Sequence, residues 1–200
     1  MLEVGCGQGD LARAMAGRGY EVTAIDPEAP EGDIFERVTL EEFAPTHPFA
    51  AVVAVLSLHH IASVSDAVEK MTSVLEDRGV LIAVEFAWEH IDEATAGWCL
   101  QHLPREYDDD NWLQRRFAEW RARPEPIPAT DHFRTWAEEE GMHTSSAMLA
   151  ELRSKLKERH FEWSPYLYPE LDVSRDEEAA AIRAGEIQAV GFRFVGNHSL

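Results

Sequence analysis

Basic residues are the scarce class in this chain: 18 Lys and Arg stand against 37 Asp and Glu, a formal net charge of −19 over 200 residues. Such a field repels a phosphate backbone and an anionic bilayer, which argues against nucleic-acid and membrane partners. Cysteine is nearly absent. Cys6 and Cys99 make no disulfide framework, which fits a reduced, cytoplasmic setting. Long apolar runs are missing too. The longest, from Phe49 to Leu58, is about ten residues, a buried strand and not a bilayer span, which needs roughly 20. No charged segment with a cleavage site precedes an apolar core, so no secretory signal is expected. Metal-ligand spacing is lacking as well: neither Cys lies in a C-x-x-C pair, and the nine His show no H-E-x-x-H. No metal is expected.

What is present begins at the first residue. Met1-Leu2-Glu3-Val4 is a short apolar run containing an acid, followed by Gly5-Cys6-Gly7-Gln8-Gly9-Asp10 and then Leu11-Ala12-Arg13-Ala14-Met15-Ala16. This predicts strand, glycine loop and helix N-terminus. Glycine serves where the backbone needs positive φ or close ligand approach, and the N–H groups before a helix favour a carboxylate or phosphate. The dinucleotide fingerprint G-x-G-x-x-G does not fit, because the position three after Gly7 is Asp10.

The pattern Glu3-x-Gly5-x-Gly7-x-Gly9 resembles motif I of the class I S-adenosylmethionine (SAM)-dependent methyltransferases, E/D-x-G-x-G-x-G. Further along the chain, Glu21–Ile25 reads as a parallel strand ending at Asp26-Pro27, where an acid is placed to accept both ribose hydroxyls of an adenosine. A short third strand is expected around Phe35–Thr39, followed by Leu40-Glu41-Glu42, where the family places an acid near the adenine amino group and either Glu41 or Glu42 could serve. The apolar strand Ala51–Leu56 runs into Ser57-Leu58-His59-His60, a Leu-His-His run that again looks like the methyltransferase family. An amphipathic helix over 65–77, stopped at Asp77-Arg78-Gly79, leads to a fifth strand, Val80–Val84, which opens into Glu85.

Residues 91–135 change character, with Trp98, Trp112, Trp120 and Tyr107 around several prolines, and read as a helical lid or substrate insertion with a small aromatic core. A helix over Ser145–Arg159, a strand over Phe161–Tyr168, a helix over Asp176–Ala189 capped by Ser174 with Glu177, and a strand from Gly191 to Gly196 complete the pattern. The expected architecture is α/β: a single domain over 1–200, built on a Rossmann-like, seven-stranded, mostly parallel sheet with an antiparallel end strand and helices on both faces.

The resemblance implies an enzyme that transfers the methyl group of SAM to a small-molecule acceptor by in-line displacement. It implies cofactor contacts from Glu3, Gly5, Cys6, Gly7, Gln8 and Gly9, from Asp26 and Pro27 at the ribose, from Leu40 and Glu41 at the adenine, and from Leu56 and Ser57 at the amino end. The carboxyl ends of strands four and five supply His60 and Glu85 as catalytic candidates and His59, Trp88 and His90 as pocket candidates. The alternatives are a nucleotide-dependent Rossmann oxidoreductase and a non-catalytic SAM-binding module. The family's helix ahead of the first strand has no counterpart in residues 1–4: either the chain is shortened relative to its relatives, or the insertion or the other subunit of a homodimer covers that side of the pocket, and weak SAM binding is expected.

Overall fold

A computed structural model describes residues 1–198. β1 (Leu2–Val4), α1 (Asp10–Ala16), β2 (Thr23–Ile25), β3 (Phe35–Glu36) and β4 (Phe49–Val55) are followed by α2 (Val64–Ser73) and β5 (Leu75–Phe86). Then come α3 (Glu93–His102), α4 (Trp112–Arg121), α5 (Ala129–Glu139), α6 (Ser145–Lys155), β6 (Leu156–Ser164), α7 (Arg175–Ala184) and β7 (Gly191–His198). The strands form one seven-stranded sheet in the order β3-β2-β1-β4-β5-β7-β6. β1, β2, β3, β4 and β5 pair in parallel. The β6–β7 pair is antiparallel, because Arg193 meets Glu162 while Asn197 meets Arg159.

The strand residues explain the central positions. In β4, Val52, Val53 and Ala54 are all buried, as a parallel strand covered on both faces requires. β5 starts earlier than the sequence pattern predicts. Leu75 already pairs with Phe49, and the register then slips so that Ala51 faces Val80. Asp77-Arg78-Gly79 is therefore an irregularity inside a strand and not a helix stop. At the sheet edge, Lys157-Glu158-Arg159 is exposed strand, although it falls in the stretch expected to be helical. Charged side chains on an edge strand block pairing with other chains, so tertiary position overrides local propensity there.

The chain forms two compact units. The first comprises Met1–Glu85, Ser146–Glu162 and the segment from Arg193 on; the second comprises Phe86–Ser145 and Trp163–Phe192. In the first, Ala12, Ala24 and Ala29 with Cys6 form a small-residue core under α1. In the second, Phe86 stacks on Tyr166 at 4.6 Å and Trp112 on Trp136 at 5.6 Å, with Phe117 and Phe133 edge-on at 5.5 Å. Each such aromatic pair contributes about 0.5–1.5 kcal/mol beyond its burial. Residues 91–135 hold α3, α4 and the start of α5, and the compact unit that contains them also takes in α7. The Ser174–Glu177 capping box at the start of α7 is present in both directions. Among the described residues, no helix is long and apolar enough to cross a membrane.

Candidate active site

The first unit contains a cavity of about 590 Å³ between the carboxyl ends of β1, β2 and β4. This size suits a cofactor, and the carboxyl edge of a parallel sheet is where α/β folds bind ligands. Val4, Gly5, Gly7, Ile25, Asp26 and Pro27 line one side. Val38, Thr39, Leu40 and Glu41 line the next, and Leu56, Ser57, His60, Ile61 and Ala62 complete it.

The glycine loop is shaped by close approach. A Cβ on Gly5 (φ 73°) would sit 2.5 Å from the Cβ of Ser57, and one on Gly9 (φ 78°) would sit 2.3 Å from the Phe35 ring. Gly7 differs, because a Cβ there would meet nothing within 4 Å and its backbone faces the cavity. The loop is tied to β2: the N–H groups of Gly5 and Cys6 both donate to the Ile25 carbonyl, at 2.9 and 3.1 Å. Gly7 donates its N–H to Asp26 Oδ2 at 3.0 Å, and Glu28 donates to Oδ1 at 2.8 Å. Each carboxylate oxygen accepts about two hydrogen bonds, so Asp26 keeps capacity for a ribose.

Of the other loop residues expected at the cofactor, Glu3, Cys6, Gln8 and Gly9 do not line the cavity. Glu3 is buried beneath it, one oxygen without a hydrogen-bond partner among the described residues. Burial pushes its carboxyl up to about 7, partly offset by the Ala12 N–H. Burial likewise raises the Cys6 thiol to about 11, with the charges of Glu3 and Asp26 adding to it, and the Cys99 thiol to about 12. Both thiols are therefore protonated and poor nucleophiles. Between the two acids left open after β3, Glu41 lines the cavity, whereas Glu42 caps the turn with Thr39.

The Leu-His-His run forms a 3₁₀ turn, Leu58–His60, that separates its two histidines. His60 lines the cavity. His59 is buried, its ring centroid 4.3 Å from that of His60, and its Nδ1 lies 2.6 Å from Glu85 Oε2. Glu85, expected to face the acceptor, instead turns inward and is fully buried. Its Oε1 accepts the N–H groups of Ser57 at 2.9 Å and Leu58 at 2.7 Å. A buried carboxylate needs several donors, and the turn after β4 supplies them. Trp88 and His90 belong to the second unit. The Trp88 indole donates to the His143 carbonyl, and His90 Nδ1 lies 2.9 Å from the Ala189 carbonyl, its ring 4.5 Å from that of Trp163. His90 lines a separate cavity of about 230 Å³ with Ile182, Ile187 and Gln188. Sequence reasoning missed Val4, Ile25, Val38, Thr39, Ile61 and Ala62 as lining residues, since single apolar and hydroxyl groups carry no motif.

The residues present fit SAM. Gly7 leaves open space, Asp26 sits at the β2 end, Val38, Leu40 and Ile61 give the wall apolar surface, and the buried Ser57 hydroxyl has no partner among the described residues. No group of three or more His, Cys, Asp or Glu among the described residues is disposed to hold a metal.

Residues 1–162 match the sequence profile of a family described as "Methyltransferase domain". No curated protein matches the chain. Among solved structures, the fold is similar to N-methyltransferase NodS from Bradyrhizobium japonicum WM9 in complex with S-adenosyl-L-homocysteine (SAH), at 13% identity and a TM-score of 0.54, over 100% of this chain and 77% of that one. It is also similar to a putative SAM-dependent methyltransferase from Listeria monocytogenes, at 14% identity and a TM-score of 0.54, over 100% and 90%. A third is the SAM-dependent methyltransferase from Mesorhizobium loti, at 15% identity and a TM-score of 0.55, over 98% and 89%. With the glycine motif, the sheet order and a profile match over most of its length, the chain belongs to the class I SAM-dependent methyltransferases, enzymes that take their methyl group from SAM.

Proposed function

We propose that the protein methylates a small-molecule acceptor in the cavity of its first unit, with His60 taking the acceptor's proton. The observation that carries this reading is the shared wall: His60 lines the same cavity as Gly7, Asp26, Leu56 and Ser57. When bound, SAM supplies a methyl group already activated on a sulfonium. The protein's own contribution is then to align, exclude water and remove a proton, and alignment alone can lower a barrier by roughly 7–11 kcal/mol. Asp26 would hold the ribose hydroxyls, Leu40 and Glu41 would flank the adenine, and the backbone of Leu56 and Ser57 would meet the amino end. The chain's acidity supports a small acceptor over nucleic acid, and a cytoplasmic location is consistent with its two unpaired, buried cysteines.

The test is turnover of a panel of small amines, phenols and carbon acids with labelled SAM, comparing wild type with His60→Gln. Loss of a general base costs typically 10²–10⁴-fold. The expected outcome is a fall in kcat of about a hundredfold or more with SAH affinity within about threefold of wild type. Unchanged kcat would remove His60 from the chemistry. Stronger binding of NAD than of SAM would remove the cavity assignment.

A further inference from the structure

We propose that Glu85 is a positioning residue: its buried carboxylate holds the turn after β4 in a strained backbone conformation that shapes the cofactor wall. This rests on reading the first unit's cavity as the SAM site. Leu56 has φ 53°, and among the described residues it is the one non-glycine with positive φ. A leucine has no intrinsic reason to sit there, since its Cβ crowds the neighbouring carbonyl and its side chain offers no local hydrogen bond in return. Such a conformation persists only where the surroundings over-determine it.

Here the surroundings are specific. On the near side, the Leu56 N–H donates to the Val84 carbonyl at 2.9 Å, keeping the ladder to β5 through the end of β4. On the far side, Glu85 takes the next two N–H groups, Ser57 and Leu58, on one oxygen and meets the His59 ring on the other. Three consecutive residues are thereby fixed by one side chain that is itself enclosed. The strained residue is the exposed one: Leu56 is 41% accessible and lines the cavity, although it is a large apolar group. The held turn also sets the glycine loop, because Ser57 packs against Gly5 so closely that no Cβ fits between them. A relaxed Leu56 would rotate its own carbonyl and displace Ser57, disturbing both walls at once.

The consequence is a coupling between positions 85 and 56 that a merely stabilising carboxylate would not produce. If Glu85 acts by enforcing the left-handed conformation, its loss should matter where residue 56 resists that conformation and matter little where it does not. Glycine adopts positive φ without the Cβ clash. The experiment is calorimetric titration of SAH into wild type, Glu85→Gln, Leu56→Gly and the double variant, with thermal melts of each ligand-free protein. An amide keeps the shape but loses the charge and one acceptor oxygen. In the leucine background, Glu85→Gln should weaken SAH binding by about five- to thirtyfold, the left-handed cost of an L-residue expressed as an equilibrium ratio. In the Leu56→Gly background the same change should cost less than about twofold.

Equal losses in both backgrounds, tracking the fall in melting temperature, would make Glu85 a stability element and overturn the proposal. So would no loss in either. If Glu85→Gln fails to fold, Glu85→Asp, which withdraws the carboxylate by one methylene, replaces it in the same cycle with the same expected suppression. Asp26→Ala, titrated in parallel, separates this from the site reading. A loss in Asp26→Ala with none in Glu85→Gln overturns only the positioning role, whereas SAH binding undiminished in both variants overturns the cavity assignment and the proposal with it.

Discussion

Each compact unit encloses one glutamate completely, and the two solve the same problem for different ends. Glu85 in the first unit and Glu178 in the second are both fully buried. Each collects donors from consecutive backbone positions: Glu85 from Ser57 and Leu58, Glu178 from Tyr166 at 2.8 Å, Leu167 at 3.1 Å and Tyr168 at 2.7 Å. A buried charge is tolerated only with such a set of charge-assisted bonds. The difference lies in what is held. Glu178 ties the first turn of α7 to a loop inside an aromatic core that includes Phe86, Trp112 and Leu167. Glu85 ties a strained turn whose outer face is open to a cavity. The same chemistry thus serves packing in one unit and site geometry in the other.

The largest effect expected is at Glu178. Glu178→Ala removes the acceptor of three backbone N–H groups, that of Leu167 fully buried, and should cost on the order of 3–5 kcal/mol of stability in chemical denaturation. SAH affinity of the folded protein should not change. A loss of affinity comparable to that of a cavity residue would break the contrast between the two carboxylates.

Next comes Asp26→Ala, at the cavity edge. It should remove charge-assisted bonds to the ribose and weaken SAM or SAH binding by about 2–4 kcal/mol in calorimetry. The melting temperature of the ligand-free protein should move far less than in Glu178→Ala, since Asp26 is only half-buried. Affinity equal to wild type would sink the ribose assignment.

The smallest effect concerns a third buried acid, Glu3, which lacks the donor set of the other two. Burial raises its carboxyl from the ordinary 4.5 to about 7. The folded state therefore holds a proton that the unfolded state has lost across that window. This group's contribution to stability is complete below the ordinary carboxylate range, declines as pH rises towards about 7 and is flat above. Glu3→Gln should remove the decline, so its melting temperature relative to wild type should be higher at about pH 8 than at about pH 5. A pH-independent difference would mean that Glu3 is ionised throughout and has a donor set after all.

Much of the first unit was legible in the sequence because its chemistry is local. The alternating glycines, the acid closing β2 and the apolar β4 each follow from a few neighbouring residues, and the parallel order of β1 to β5 follows from their spacing. The capping box at Ser174 was legible for the same reason. Boundaries were less so: 156–159 looks helical by composition and is an edge strand, and Gly79 looks like a stop and lies inside β5. In both cases pairing with a neighbouring strand outweighs local preference.

The site divides along the same line. By itself the sequence determined the class of cofactor through the resemblance of Glu3-x-Gly5-x-Gly7-x-Gly9 to the methyltransferase motif, whose glycines take positive φ, with Asp26 at the end of the next strand. Only the tertiary structure decided which of two adjacent histidines faces the cavity, which of two adjacent acids lines it, and that Glu85 points inward. These choices turn on burial and on donors brought together from distant segments. Residue 85 meets residues 57 to 59 because β4 and β5 are neighbours in the sheet, a proximity that no local pattern encodes.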